Sequence, residues 1–442
     1  MRALKAGVIS TLLMAGATCA SVADDELNGA IAKDYKYLEA LYMHLHSNPE
    51  ISFQEEKTAA RIAAELRQIG FDVTENVGGY GVVAVLKNGE GPTVMVRSDL
   101  DGLPVKEQTG VAYASTATTT DDSGTLVPVM HACGHDVHMT SLVGTARRLA
   151  AMQDNWQGTL IMIGQPAEER VGGAKAMLAE GLFTRFPRPD YNVALHVSST
   201  LAAGDIGFTA GYAFANVDSV DIAVKGVGGH GAYPHTTKDP VLLASQIVMA
   251  LQTLVSRETS PLDSAVVTVG SFHAGTKHNI ISDGAHLQLT VRSYSEDVRK
   301  NLLDGIKRIA EAQAASYGLP KEMWPEVSYS EGTPATYNNP DLTTRLQKTL
   351  TKKFGADHVF SLPAVMGAED FSYFGLVEPK IPSVMFRLGG AAPADVAAAA
   401  RGEKKLSSLH SPFFAPDRED TLKSGVAAMS TIVLDLLAKP TK

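Results

Sequence analysis

Cysteine is nearly missing from this sequence: 442 residues contain two, Cys19 and Cys133. Cys19 lies in an N-terminal leader. Arg2 and Lys5 precede an apolar run from Ala6 to Ala17, and Ser21-Val22-Ala23 offers the small residues a signal peptidase reads. Cleavage near Ala23 leaves Cys133 alone, so no intramolecular disulfide can form, and the expected location is periplasmic or secreted. A lone thiol in an oxidising compartment is a liability unless it is buried or bound to metal. A basic block is also missing. The formal net charge is −9, with 39 Lys and Arg against 48 Asp and Glu, so there is no basic face for nucleic acid and no such partner is expected. Long apolar runs are absent too. The leader's run falls short of the ~20 residues needed to cross a bilayer, and no later stretch reads as a span, so no membrane partner is expected.

What is present suits a large, well-packed chain. Hydrophobic residues make up 45% of it, enough for more than one core. Thr58 to Ile69 reads as a helix with Ala59, Ile62, Ala63 and Leu66 on one face, ended by Gly70. Thr93 to Arg97 and Leu160 to Gly164 are short apolar runs suited to buried parallel strands, with a helix from His138 to Met152 between them. The pattern changes near Asn216. Strands Val217 to Val224, Ala265 to His273, Ala285 to Tyr294 and one near Val327 alternate with helices Pro240 to Ser256 and Glu296 to Ser316. That order is β-α-β-β-α-β. Glu331 onward returns to α/β character and ends in a helix from Thr421 to Leu437, while Ala391 to Ala400 reads as a surface insertion or short helix. The expected plan is a leader (1–23), a catalytic domain in two parts (24–215 and 331–442) and an inserted α+β domain (216–330).

Five clusters of metal-binding residue types fall at strand ends or in loops: Ser98 to Pro104, His131 to His138, Pro166 to Glu169, Leu195 to Val197, and His410 to Pro412. In open α/β sheets, loops at the carboxyl ends of strands meet in one crevice. In Cys133-Gly134-His135, a glycine between thiolate and imidazole lets the backbone bring both to one ion. The alternative is a buried structural cysteine beside surface histidines. Glu168 and Glu169 follow a strand and a proline, and neighbouring side chains point different ways. One can therefore bind metal while the other serves as the base that hydrolysis requires. An isolated Glu-Glu is otherwise solvated surface. His196, inside an apolar strand, also fits a satisfied core histidine, and His410 in its Ser/Pro loop is unremarkable alone.

Together these motifs resemble the aminoacylase, hippurate hydrolase and indoleacetyl-amino-acid hydrolase branch of the dinuclear-zinc carboxypeptidase/aminoacylase superfamily. The resemblance begins at Leu45-His-Ser-Asn-Pro-Glu50 with Glu55 and runs through the five clusters. It continues through Gly228-Gly-His-Gly-Ala-Tyr-Pro-His235, Asn279-Ile-Ile, Met366-Gly-Ala-Glu-Asp-Phe371 and His410-Ser-Pro. It implies an α/β fold: a mostly parallel-sheet, dinuclear-metal catalytic domain with an inserted lid and dimerisation domain. It implies that Cys133, His135, Glu169, His196 and His410 hold two divalent ions, zinc or manganese. Glu168 would be the general base, and Asp101 would orient a ligating imidazole. His230 would bind the oxyanion, in its own subunit or its partner's, and Asn279 and Arg292 are candidates for the substrate carboxylate. The sequence departs from the branch at Gly102, usually alanine, and at Ser282, often proline.

The expected activity is metal-dependent hydrolysis of the amide bond of small N-acyl amino acids by a homodimer joined through the lid. A dipeptidase or carboxypeptidase on the same two-metal site is the rival reading among enzymes. A periplasmic metal- or peptide-binding protein is the rival outside them, and it gives no reason for Glu168 beside a ligand.

Overall fold

The structure is a computed structural model that describes residues 12–439, with side chains from Glu26 onward. The start of the leader lies outside the described residues. A helix then runs from Leu12 to Ser47, through the expected cleavage position.

The central sheet has eight strands, in the order Asp72–Thr74, Val82–Asn88, Gly158–Gln165, Thr93–Asp99, Tyr191–Ala202, Ser383–Ala391, Ile206–Phe208 and Val359–Ser361. Its middle is parallel: Thr93–Asp99 pairs with Gly158–Gln165 on one side and Tyr191–Ala202 on the other, which in turn pairs with Ser383–Ala391. These strands are apolar almost throughout because helices cover the sheet. The helices Glu56–Ile69, His135–Ala151 and Arg418–Leu436 share a core with Val96, Leu160, Val193 and Phe386.

A second sheet, with strands ordered Ala265–Ala274, Gly284–Ser293, Val217–Lys225 and Glu326–Thr333, is antiparallel throughout. The helices Pro240–Thr253 and Glu296–Ser316 cross it and bury Leu243, Ile247, Leu251, Leu302 and Ile306 in its own core. Local chemistry starts both helices. Asp239 accepts Val241 N at 2.8 Å ahead of Pro240, and Ser295 accepts Val298 N at 3.2 Å. Chain order through the four strands of this sheet and its two helices is β-α-β-β-α-β, with the short pair Gly229–His230 and Ile280–Ile281 forming a separate ribbon.

Two sequence readings need correction. The stretch Pro240–Glu258 is long and apolar enough to cross a membrane. Its inner face packs on the lid sheet, while Leu242 and Met249 stay exposed on its outer face. The helix expected from His138 starts at His135 instead. Gly134 adopts a left-handed φ of 82° immediately before it, and a Cβ there would collide with Val197. Only glycine lets the chain turn from a loop into the helix so close to the neighbouring strand.

Candidate active site

The clusters converge at the carboxyl edge of the central sheet. Thr93–Asp99 delivers Asp99 and Asp101, Gly158–Gln165 delivers Glu168 and Glu169, and Tyr191–Ala202 carries His196. Cys133 and His135 stand at the start of the helix His135–Ala151. His410 arrives on a loop tied by its own N–H to the Ala132 carbonyl at 2.9 Å. Ala167 and His410 both hold left-handed backbone, φ 48° and 64°. Such strain in side-chain-bearing residues persists only where surrounding contacts impose it. For Ala167 one such contact is the buried Glu55 carboxylate, which accepts its N–H at 2.7 Å.

All five expected ligands gather here. Cys133 Sγ lies 3.6 Å from His196 Nε2 and 3.3 Å from His410 Nε2. Glu169 Oε1 lies 3.5 Å from His410 Nε2 and 3.8 Å from His135 Nε2. Three overlapping groups, Cys133–His135–His196, Cys133–Glu169–His410 and His135–Glu168–Glu169, each bring their ligand atoms within 4.8 Å of one another. His135 Nε2 and Glu169 Oε1 are buried with no hydrogen-bond partner. Orphaned ligand atoms aimed at one space are what a cation site requires. Two overlapping ligand groups that share Cys133 fit a pair of divalent ions.

The electrostatics point the same way. Burial and the nearby Glu369 and Glu169 carboxylates push the Glu168 carboxyl well above its ordinary range. Burial lifts Glu169 to about 8 despite the opposing pull of His135. Burial, then Glu169 and Glu168, raises the Cys133 thiol. Burial works against a charged His135, yet Asp99 and Asp101 outweigh it and raise its pKa to about 10. Acids crowded this closely need positive charge among them, and a divalent cation supplies it.

Asp101 is in contact with His135, though not chiefly through its carboxylate. His135 Nδ1 meets the Asp101 backbone carbonyl at 2.7 Å and its carboxylate at 3.4 Å. The carboxylate is drawn instead to the Ser52 hydroxyl at 2.6 Å and the Glu169 N–H at 3.0 Å. Asp101 thus braces both His135 and Glu169. A neighbouring imidazole, His138, is fully occupied. Val197 N–H donates to His138 Nε2 at 2.9 Å, so Nδ1 carries the proton that it donates to Asp99 at 2.7 Å. His138 therefore has no nitrogen free for metal.

A buried network without a role so far lies beneath Glu168. The buried Arg97 pairs with Asp99, Glu369 and Asp370, at 2.8, 2.7 and 3.3 Å. Asp370 also accepts Ala174 N and Gln165 Nε2. An arginine inside an apolar strand run is the available sign, because a buried guanidinium demands partners. Further out, His46 bridges Asp136 at 2.6 Å and Glu107 at 3.0 Å, so the Leu45–Glu50 motif braces the ligand-bearing helix.

Above the cluster opens a cleft of about 680 Å³ lined by Cys133, Glu168, Glu169, His196, His410 and, from the lid, Arg292. His230 and Asn279 do not line it. They sit together on the lid, where Gly231 N donates to the Asn279 carbonyl at 2.9 Å, and both are exposed. His230 Nδ1 accepts Ala232 N–H at 3.0 Å, which leaves the proton of the neutral ring on Nε2.

The chain is similar to known proteins. The peptidase family M20/M25/M40 matches residues 95–435. A hippurate hydrolase of Campylobacter jejuni is 36% identical over 338 residues, 76% of this chain and 84% of that one. Thermostable carboxypeptidase 2 of Saccharolobus solfataricus is 36% identical over 397 residues, 88% and 93% of the two chains. Among solved structures, a dinuclear metal-binding M20 peptidase from Bacillus subtilis superimposes with a TM-score of 0.71 at 27% identity, covering 92% of this chain and 99% of its own. By sequence, fold and site, the protein belongs to peptidase family M20/M25/M40.

Proposed function

We propose that the protein is a metal-dependent amidohydrolase that cleaves N-acyl amino acids, releasing the free amino acid and a carboxylic acid. The observation that carries this reading is a single cleft in which Cys133, His135, Glu169, His196 and His410 converge beside a further carboxylate, Glu168, with Arg292 across from them. The relatives support it, since a hippurate hydrolase acts on an N-acyl amino acid and the Bacillus subtilis neighbour binds two metals.

Two divalent cations, zinc or manganese, held by those five ligands would polarise the scissile carbonyl and acidify the attacking water. The protein's own groups do the rest. Glu168 takes the water's proton and passes it to the leaving nitrogen. Asp101 holds His135 and the Glu169 backbone in place, and Arg97 with Glu369 and Asp370 fixes the floor beneath Glu168. Arg292 offers its fork to the substrate's α-carboxylate, since its protein contacts are the Met366 carbonyl and the Thr290 hydroxyl.

His230 is assigned the oxyanion, with Asn279 beside it at the substrate carboxylate. Neither reaches the cleft of its own chain, so we assign both to the cleft of a partner subunit. The exposed Leu242 and Met249 on the lid's outer helix and the edge strand Ala265–Ala274 supply a surface for such a homodimer. The division of the chain at 216 and 330, the leader over residues 1–23 and a periplasmic or secreted location belong to the same proposal and rest on the sequence.

The carboxypeptidase reading uses the same machinery, and the substrate separates the two. N-acetyl and N-benzoyl amino acids should be hydrolysed, and amidating their α-carboxylate should lower kcat/KM by about 10- to 100-fold, the worth of one charge-assisted contact. Efficient cleavage of carboxyl-amidated or long peptides, with acyl amino acids inert, would promote the peptidase reading. The assay is amino-acid release measured across matched acid and amide substrates.

A further inference from the structure

The cleft holds one cation more than a monocarboxylate substrate uses. Arg387 lines it as Arg292 does, but from the catalytic sheet rather than the lid. Arg387 stands in register with His196 on the neighbouring parallel strand, so both side chains leave the same face of the sheet. It makes no ion pair among the described residues. Its Nη2 donates to the Thr209 hydroxyl at 2.9 Å and to the Pro363 carbonyl, both neutral, and Nε and Nη1 find no acceptor among the described residues. By contrast, Arg299 is neutralised by Asp218, and Arg97 by three carboxylates. The cleft wall also carries hydroxyls, at Ser198, Ser199, Thr200 and Ser408. Among the described lining residues, the acid outside the metal cluster, Glu331, is engaged by Arg170 at 2.7 Å. A half-buried guanidinium with spare donors at Nε and Nη1 in a polar cleft favours an anionic ligand.

We propose that Arg387 is a specificity-determining residue that binds a second carboxylate, so that the preferred substrates are dicarboxylic N-acyl amino acids. This rests on the N-acyl amino acid reading above and narrows it. Arg292 takes the α-carboxylate, and Arg387 takes a carboxylate carried either by the amino-acid side chain or by the acyl group. Either source presents the same anion to the same guanidinium.

The experiment compares acid and amide pairs on wild type, Arg387→Gln and Arg387→Lys. One arm sets N-acetylglutamate against N-acetylglutamine, and the other sets N-succinylalanine against its succinamoyl counterpart. In one arm the wild type should favour the acid by about 10- to 100-fold in kcat/KM. Arg387→Gln should erase that ratio, and Arg387→Lys should keep part of it. An arginine that merely supports its strand would change both members of a pair alike, and an unchanged ratio overturns the proposal. So does equal cleavage of acid and amide by the wild type in both arms. If no acyl amino acid is turned over, the hydrolase reading fails, and calorimetry decides the arginine separately. Tighter binding of either acid than its amide, lost in Arg387→Gln, sustains the anion site, and equal binding ends it.

Discussion

Glu168→Gln should keep the fold and the full metal load while losing turnover by at least ~10²–10⁴-fold, the usual range for removal of a general acid–base group. The two adjacent glutamates occupy different surroundings. Glu169 Oε1 has no hydrogen-bond partner and faces His410 and His135, so its natural partner is a cation. Glu168 lies over the Glu369–Asp370–Arg97 floor and faces the cleft, 3.9 Å from His135 Nε2. Replacing one carboxylate oxygen by an amide nitrogen hardly changes volume but removes proton acceptance. Glu169→Gln should instead lose metal, because a neutral amide is a poor substitute for a charged ligand. Metal analysis and steady-state kinetics on both variants settle the assignment. Retained metal in Glu169→Gln with metal lost from Glu168→Gln means that the two roles are exchanged.

The second large effect concerns a residue outside its own cleft. His230→Ala should retain metal and lose kcat by about 2.7–4 kcal/mol, the cost of deleting an oxyanion-hole donor. With Nδ1 accepting from Ala232, the neutral imidazole presents Nε2–H outward, the tautomer such a donor needs. If it serves a partner's cleft, mixing Glu168→Gln with His230→Ala chains creates one site in each hybrid dimer with both groups intact. Activity should then recover in proportion to the hybrid fraction. No recovery after verified subunit exchange places His230 in its own chain's cleft or outside catalysis.

Much of the catalytic half was legible because strand ends and metal-ligand chemistry both leave local marks. The apolar runs before Asp99, Glu168 and His196 mark buried parallel strands, and the topology of such sheets brings their ends together. The lid's strands and helices were legible from alternation and strand–helix order, and the structure adds the caps at Asp239 and Ser295 that start the helices. Contacts made across long stretches of chain were not. Arg97 meets Glu369 across 272 residues, and nothing near either position names the other. The early start of the helix at His135 depends on the left-handed Gly134, whose need arises from Val197 on a distant strand. The apolar outer face of Pro240–Thr253 has the composition of a buried helix, so its exposure could be seen only once the lid was assembled. Arg387 is one charge in an apolar strand, and no local motif marks it. Only the pairing of that strand with Tyr191–Ala202 puts its side chain beside His196.

The central claim is that one chain-borne metal cluster, worked by Glu168, hydrolyses N-acyl amino acids. Its most direct test is amino-acid release from N-acetyl and N-benzoyl amino acids by the purified protein before chelation, after chelation, and after return of zinc or manganese. The account predicts release that disappears with the metal and returns with it, at up to two ions per chain. Release that survives complete metal removal, or no release from any acyl amino acid by the fully loaded protein, would contradict it.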